Sequence, residues 1–377
     1  MTAWYEIANV SDIPSPALLV YPDRAAENIR RMVSIVGDVA RLRPHVKTHK
    51  LPEVLRMHLD AGIRAFKAAT PAECEMAASA GAPDVLLAYQ PVGPNAARLL
   101  SLAKRFRGTR FSAIVDDERA ARALGAAFSE GGARIEALVD VDCGMHRTGI
   151  PAGPEADALY RAIASTPGLV PGGLHAYDGH LRQSDLAERT AACEAALAPV
   201  RAMRDRLARA GLPVPRVVAG GTPSFPVHAR HADVECSPGT CVFWDAGYAQ
   251  GLPDLDFLHA VVLLARVVSK PGGRRVCLDL GHKAVASENP HPRAIFLDVP
   301  DAVAVGHSEE HLVLETDRAP RLAVGDALYA IPWHVCPTVA LHDRVVVVRE
   351  GRADDTWTVT ARARSLGASL RDDGDVQ

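Results

Sequence analysis

Through the first two-thirds of the chain one pattern recurs: a short apolar run, a polar loop, then an amphipathic stretch rich in Ala, Arg and Glu. The apolar runs are residues 17–21 (ALLVY), 40–46 (ARLRPHV), 63–68 (IRAFKA), 84–89 (DVLLAY), 111–115 (FSAIV), 135–141 (IEALVDV), 169–177 (LVPGGLHAY) and 215–221 (PRVVAGG). Between them, segments such as 23–36, 117–128 and 184–210 space apolar residues at three and four positions, the period of an amphipathic helix. Strands alternating with helices predict βαβ units on a parallel sheet. Eight such runs before residue 222 match the size of a (β/α)8 TIM barrel, with a doubly wound open sheet as the alternative.

After residue 255 the helical period fades and β-rich runs take over, among them HAVVLLARVVS, RRVCLDL, AIFLDV, EHLVLET, ALYAI, RVVVVREG and TWTVTARA, with turns such as KPGG between them. The expected division is a barrel over residues 16–250 and an all-β domain over 251–377. Residues 1–15 are expected to join the β domain, and residues 372–377 to fray.

Composition narrows the ligand. The 377 residues carry 42 Lys and Arg against 45 Asp and Glu, without the basic excess that a nucleic-acid binder shows. A small-molecule ligand is expected, and no nucleic acid. The 7 cysteines are odd in number and contain no CxxC pair, which reads as reduced thiols in a cytoplasmic protein. No apolar signal segment opens the sequence. The longest apolar stretch, near residues 260–268, falls far short of the ~20 residues of a membrane span.

Barrel enzymes build their sites at the C-terminal ends of the strands. The second run ends in RPHVKTHK, which puts Lys47 at the mouth among basic and imidazole groups, where a lysine is suited to a Schiff base with an aldehyde cofactor; a solvated basic loop is the alternative. The eighth ends in Gly220-Gly221-Thr222, and Gly239-Thr240 follow closely; two small-residue turns at that end suit a phosphate. The sixth leads to Arg147, a candidate partner for a phenolate or carboxylate. The seventh leads to Tyr177, which suits packing on a flat ring, and to His180, which exchanges protons near neutral pH. In the β domain, His334 and Cys336 stand two apart, as on one face of a strand, and could bind one zinc-like ion. The run His307-Ser308-Glu309-Glu310-His311 is weaker in the same sense.

Taken in order, RPHVKTHK, VDVDCGMHRTG, GLHAYDGH, GGTPSF, SPGT, LDLGHK, GHSEEH and PWHVCPTVALHD resemble the D-threonine aldolase and D-serine dehydratase family, alanine-racemase-like enzymes of fold type III. The resemblance runs from about residue 16 to about residue 350. It implies pyridoxal 5'-phosphate on Lys47, Arg147 and Tyr177 at the cofactor ring, and Gly221, Thr222, Gly239 and Thr240 at its phosphate. It implies a divalent metal (zinc, manganese or magnesium) on His334 and Cys336, and His180 as the base. Where relatives often carry a tyrosine beside the second phosphate turn, this chain has Cys241. Some aldolases carry aspartate where the dehydratases and this chain carry cysteine, at Cys336. The implied activity is that of a lyase cleaving D-β-hydroxy amino acids such as D-threonine to glycine and an aldehyde, in a cytoplasmic homodimer. The alternative is a D-serine or D-3-hydroxyaspartate dehydratase on the same site, and a more distant one is a non-catalytic pyridoxal-phosphate-binding protein.

Overall fold

The structure, a computed structural model, describes residues 3–364; the tail at 372–377 lies outside the described residues. Seven parallel strands curl side by side in the order Ala65–Ala68, Asp84–Leu87, Arg110–Val115, Ile135–Asp142, Leu169–Ala176, Val217–Ala219 and Glu235–Cys236. The short strand Ile150–Pro151 pairs with the end of Ile135–Asp142. The eighth position of the ring is the extended segment 42–46. Leu42 bridges Cys236 on one side and His45 bridges Lys67 on the other, both in parallel. Arg43 N donates to Cys236 O at 2.9 Å, His45 N to Pro238 O at 2.8 Å, and Val46 N to Lys67 O at 2.9 Å. These bonds join the two edges of the sheet, so the barrel carries no open edge at this seam.

The strand count needs one correction. Residues 17–21 do not form the first barrel strand: Ala17–Val20 lies in the second sheet, antiparallel to Val261–Gly272 and parallel to Arg344–Arg349. All four of its residues are buried, and a fully apolar run carries no period by which one sheet could be told from the other. The barrel strand missing from the count is Glu235–Cys236, only two residues long. The Gly220-Gly221 turn therefore follows the sixth of the seven strands, Val217–Ala219, and Gly239-Thr240 the seventh, Glu235–Cys236.

The helices around the barrel start where the sequence sets φ in advance. Proline stands in the first turn of Pro22–Val36, Pro52–Asp60, Pro71–Ser79, Pro94–Arg105 and Pro154–Ser165, where its missing N–H removes no helical bond. Asp185 caps the long helix Leu186–Arg209 by accepting from Glu188 N at 2.8 Å. The second domain is a nine-stranded, mostly antiparallel sheet; from Val303–His307 its main path runs through Leu312–Glu315, Arg275–Leu278, Val261–Gly272, Ala17–Val20 and Arg344–Arg349 to Arg352–Thr358. Among the described residues no helix is long and apolar enough to cross a membrane.

At the N-terminal end of the barrel, Arg43 is 1% exposed. Its Nη1 donates to Asp84 Oδ1 at 2.6 Å and its Nε to Glu235 Oε2 at 2.7 Å. One cation thereby ties the closing segment to strands on both sides of the seam. Arg43→Ala, which leaves those carboxylates short of a partner, is expected to lower stability by about 3–5 kcal/mol, measured by urea unfolding.

Candidate active site

The C-terminal end of the closing segment delivers Lys47 to the barrel mouth. It lines a cavity of about 570 Å³ together with His45, Tyr89, Asp140, Arg147 and Thr148. Tyr177, just past strand Leu169–Ala176, turns its ring toward three cations. Arg147 Cζ lies 4.9 Å from the ring centroid, Lys67 Nζ 5.6 Å and Lys47 Nζ 5.7 Å. An aromatic face is attractive to positive charge at these distances. Burial, and then Lys47, hold the His45 imidazole well below its usual value, so it lies neutral under the lysine and its Nδ1 accepts from Lys47 N at 3.3 Å.

The two small-residue turns meet although sixteen residues separate Thr222 from Gly239. Thr222 Oγ1 accepts from Gly239 N at 3.1 Å and from Thr240 N at 2.9 Å. Both glycines stand at close approach. A Cβ on Gly221 would stand 3.0 Å from Tyr177 Cε2, and one on Gly239 would stand 3.2 Å from Thr48 Oγ1 and 3.3 Å from His45 Cβ. The paired turns make a narrow place that suits a phosphate ester, which would take the Gly239 and Thr240 amides over from the Thr222 hydroxyl.

His334 and Cys336 are not on a strand, which is a second correction. Strand Ala327–Pro332 ends before them; His334 is the N-cap of helix Val335–Leu341 and Cys336 lies in its first turn. Their side chains still face one another. Although burial opposes it, Cys336 and Glu288 push the His334 imidazole up to about 9, and His334 in turn draws the Cys336 thiol below its usual value against its own burial. Glu288 Oε1 lies 2.5 Å from His334 Nδ1. Cys336 Sγ is 3.2 Å from Thr48 Oγ1 and 3.5 Å from Thr240 Oγ1. An imidazole and a readily ionised thiol, with a carboxylate on the far ring nitrogen, form a donor set suited to zinc.

Lys47, Arg147, Tyr177, both turns and Cys336 therefore converge on one site. His180 stands apart: it is exposed at the rim, beside Gly144, and lines neither the Lys47 cavity nor the one next to His334. The pair His307 and His311 does not converge on the site either; His307 is held by Arg293 at 2.9 Å and Leu280 O at 3.2 Å.

Several buried groups gave no signal in the sequence. Lys67 reaches His175, which bonds Asp140. Asp178 accepts from Ser224 Oγ at 2.6 Å and pairs with His228 Nε2 at 2.7 Å, while Ser224 Oγ accepts from Gly221 N at 3.1 Å. Asp178, Cys193 and His228 also bring three metal-ligating atoms within 4.8 Å of one another. The carboxylate is already engaged twice, and the network braces the Gly221 turn. Each of these residues interrupts an apolar run or sits just beyond one, where spacing gives no hint of its partner.

The alanine racemase N-terminal domain family matches residues 20–246, and a serine dehydratase domain family matches residues 260–348. A D-threonine aldolase of Arthrobacter sp. is 34% identical over 365 residues, 94% of this chain and 93% of that protein. A 3-hydroxy-D-aspartate aldolase of Paracoccus denitrificans (strain Pd 1222) is 31% identical over 375 residues, again 94% of this chain and 93% of that protein. The crystal structure of D-threonine aldolase from Filomicrobium marinum superimposes with a TM-score of 0.88 at 30% identity, covering 95% of this chain and 97% of that one. D-threo-3-hydroxyaspartate dehydratase, solved as a cysteine-to-alanine variant in the metal-free form, gives a TM-score of 0.82 at 27% identity over 92% of this chain and 97% of that one. A histidine-to-alanine variant of the same enzyme is also similar, and its replaced position lies two before that cysteine, the order and spacing of His334 and Cys336.

Thr222→Val removes the acceptor shared by the Gly239 and Thr240 amides. It is expected to cost about 1–3 kcal/mol, read as a lower unfolding midpoint without change in helix content by circular dichroism.

Proposed function

The chain belongs to the alanine racemase N-terminal domain family, and from that premise we propose that it is a pyridoxal-phosphate- and divalent-metal-dependent aldolase, cleaving D-β-hydroxy amino acids such as D-threonine to glycine and an aldehyde. The observation that carries this reading is the reach of Cys336, from the β domain, to Thr48 beside Lys47 and to Thr240 in the second small-residue turn. A metal pair placed there would act on the same substrate as the lysine.

In this reading Lys47 holds the cofactor by its amine, Gly221, Thr222, Gly239 and Thr240 hold its phosphate, and Arg147 and Tyr177 hold its ring. His334 and Cys336 hold the cation, and a thiol with an imidazole favours zinc over magnesium. When bound, the cofactor supplies an electron sink for the pair left by the Cα–Cβ bond, and the metal a Lewis acid for the β-hydroxyl. The chain's own residues orient and move protons. Glu288 on Nδ1 fixes the ring of His334 and leaves Nε2 for the cation. Neutral His45 keeps a second positive charge away from Lys47. His180, exposed at the rim and outside both cavities, would take the β-hydroxyl proton only through water.

The dehydratase reading keeps every residue and changes the bond broken: Lys47 removes the α-proton and the β-hydroxyl departs. The histidine and cysteine spacing shared with D-threo-3-hydroxyaspartate dehydratase favours it. A non-catalytic pyridoxal-phosphate-binding protein would have no use for the β domain that carries Cys336.

Incubation with D-threonine, D-serine and D-3-hydroxyaspartate, with and without a chelator, separates the readings. Glycine with an aldehyde, lost on chelation, is the expected result; keto acid with ammonia would establish the dehydratase instead. Lys47→Ala should abolish the cofactor's absorbance band. His334→Ala should keep the band and slow turnover about 100-fold, the loss of roughly 2.7 kcal/mol of transition-state stabilisation.

We also propose a head-to-tail homodimer in the cytoplasm, each β domain closing the partner's barrel mouth. Tyr89 and Val92, 56% and 51% exposed, line the open Lys47 cavity and are apolar surface that such closure would cover. Light scattering should give twice the chain mass, and a Tyr89→Glu/Val92→Glu variant should be monomeric and poorly active.

A further inference from the structure

Lys67 stands in strand Ala65–Ala68, 2% exposed, and does not line the Lys47 cavity. A lysine amine buried in a barrel wall is costly unless it has a partner. Its partner is His175: Lys67 Nζ lies 3.5 Å from His175 Nε2, and His175 Nδ1 lies 2.7 Å from Asp140 Oδ1. His175 and Asp140 are 3% and 4% exposed, and Asp140 lines the cavity beside Lys47 and Arg147. With Nδ1–H donated to the carboxylate, the neutral imidazole offers its Nε2 lone pair to the ammonium. Three groups from three strands thus make one unbroken chain from the barrel wall to the cavity.

We propose that Lys67, His175 and Asp140 form a proton wire that returns a proton to Cα after the Cα–Cβ bond breaks. The proposal rests on the aldolase reading above. Cleavage removes one proton, from the β-hydroxyl, and glycine gains one at Cα, so the reaction is proton-neutral overall. The first transfer reaches His180 at the rim only through water; the wire serves the second. In delivery, the Lys67 ammonium gives a proton to His175 Nε2 as the Nδ1 proton moves to Asp140, and the Asp140 carboxyl group gives its proton to Cα. That leaves a Lys67 amine, a neutral His175 protonated at Nε2, and an Asp140 carboxylate. A proton from water, equal to the one the β-hydroxyl lost, reloads the wire by the reverse shifts.

The electrostatics suit the task. Lys47, Arg43 and His45 on or beside the closing segment, Asp140, His175 on the neighbouring strand and Asp178 just beyond it all act on Lys67 or lie within its chain. Although burial opposes it, His175 and Lys67 hold the Asp140 carboxyl below its usual value, so it carries the proton only in transit. Burial, and then Lys47, lower the amine to about 7 although Asp140 and Asp178 pull it back up. Burial likewise lowers His175, which keeps the middle of the wire neutral. The store is filled below pH 7 and empties as pH rises through 7, so Cα protonation should slow above that value.

The test pairs Lys67→Met with Lys67→Arg, because arginine keeps the charge and the hydrogen bond yet cannot release its proton. In cofactor-free protein, the ¹⁵N shifts of His175, assigned by their loss in His175→Gln, should titrate near pH 7 and stop doing so in both variants. In loaded enzyme, both variants should keep the single-turnover burst of aldehyde and lose about 100-fold in deuterium incorporation at glycine Cα from D₂O. Lys67→Arg exchanging glycine at the native rate would overturn the wire while leaving the aldolase reading intact. So would a native His175 that is silent between pH 6 and 8, a result that needs no variant to fold. Native enzyme that yields no aldehyde from any β-hydroxy substrate would refute the aldolase reading, and the wire's task with it.

Discussion

The barrel depends on one seam. Segment 42–46 is too irregular to count as a strand along its length, yet it carries the hydrogen bonds that join the first and last strands of the sheet. Pro44 sits at its centre without an amide to give, and its carbonyl accepts from Lys67 N at 2.9 Å. With Arg43 anchored to Asp84 and Glu235 at one end, the other end has little freedom, and that end is Lys47. The position of the lysine is therefore set by barrel closure itself and not by a flexible loop. Precision of this kind is what a covalently held cofactor requires.

The second constraint is how the β domain is fastened. Ala17–Val20 enters its sheet between Val261–Gly272 and Arg344–Arg349, so the chain begins in the β domain, passes through the barrel and returns. Two crossings fix the domains to each other more firmly than a single linker would. Cys336 exploits this. It sits in the first turn of a short helix, yet touches hydroxyls on two barrel loops. Asp245, at the barrel's end, accepts from Val335 N at 3.0 Å and holds that helix start in place.

Much of this was legible in the sequence, and what was not has definite causes. Lys47, Arg147, Tyr177 and the two glycine turns were legible because barrel function collects at strand ends and each lies just past an apolar run. The run at 17–21 was misassigned because a strand buried on both faces shows the same string of apolar residues in either sheet. Glu235–Cys236 escaped because two residues carry no period. His334 and Cys336 do face one another, for a different geometric reason than a shared strand face: the N-cap and first turn of a helix bring them together. Lys67 was invisible because IRAFKA reads as an ordinary strand with two polar positions, Arg64 and Lys67, and the pattern does not say which face is the barrel interior.

That interior explains why so many polar groups are tolerated where a parallel barrel is ordinarily packed with branched apolar side chains. From bottom to top they are arranged by charge. Arg43 meets carboxylates at the N-terminal end, Lys67 and His175 meet Asp140 in the middle, and Lys47 with Arg147 lies open at the mouth. Each buried cation has an anion or a lone pair within reach, so desolvation is offset locally rather than by the fold as a whole. The mouth itself is mixed in charge: Asp116 and Asp140 line the same cavity as Lys47 and Arg147, with Asp140 engaged by His175. Lys47 and Arg147 are the positive groups that would meet an anionic phosphate ester there, in a chain whose overall balance is -3.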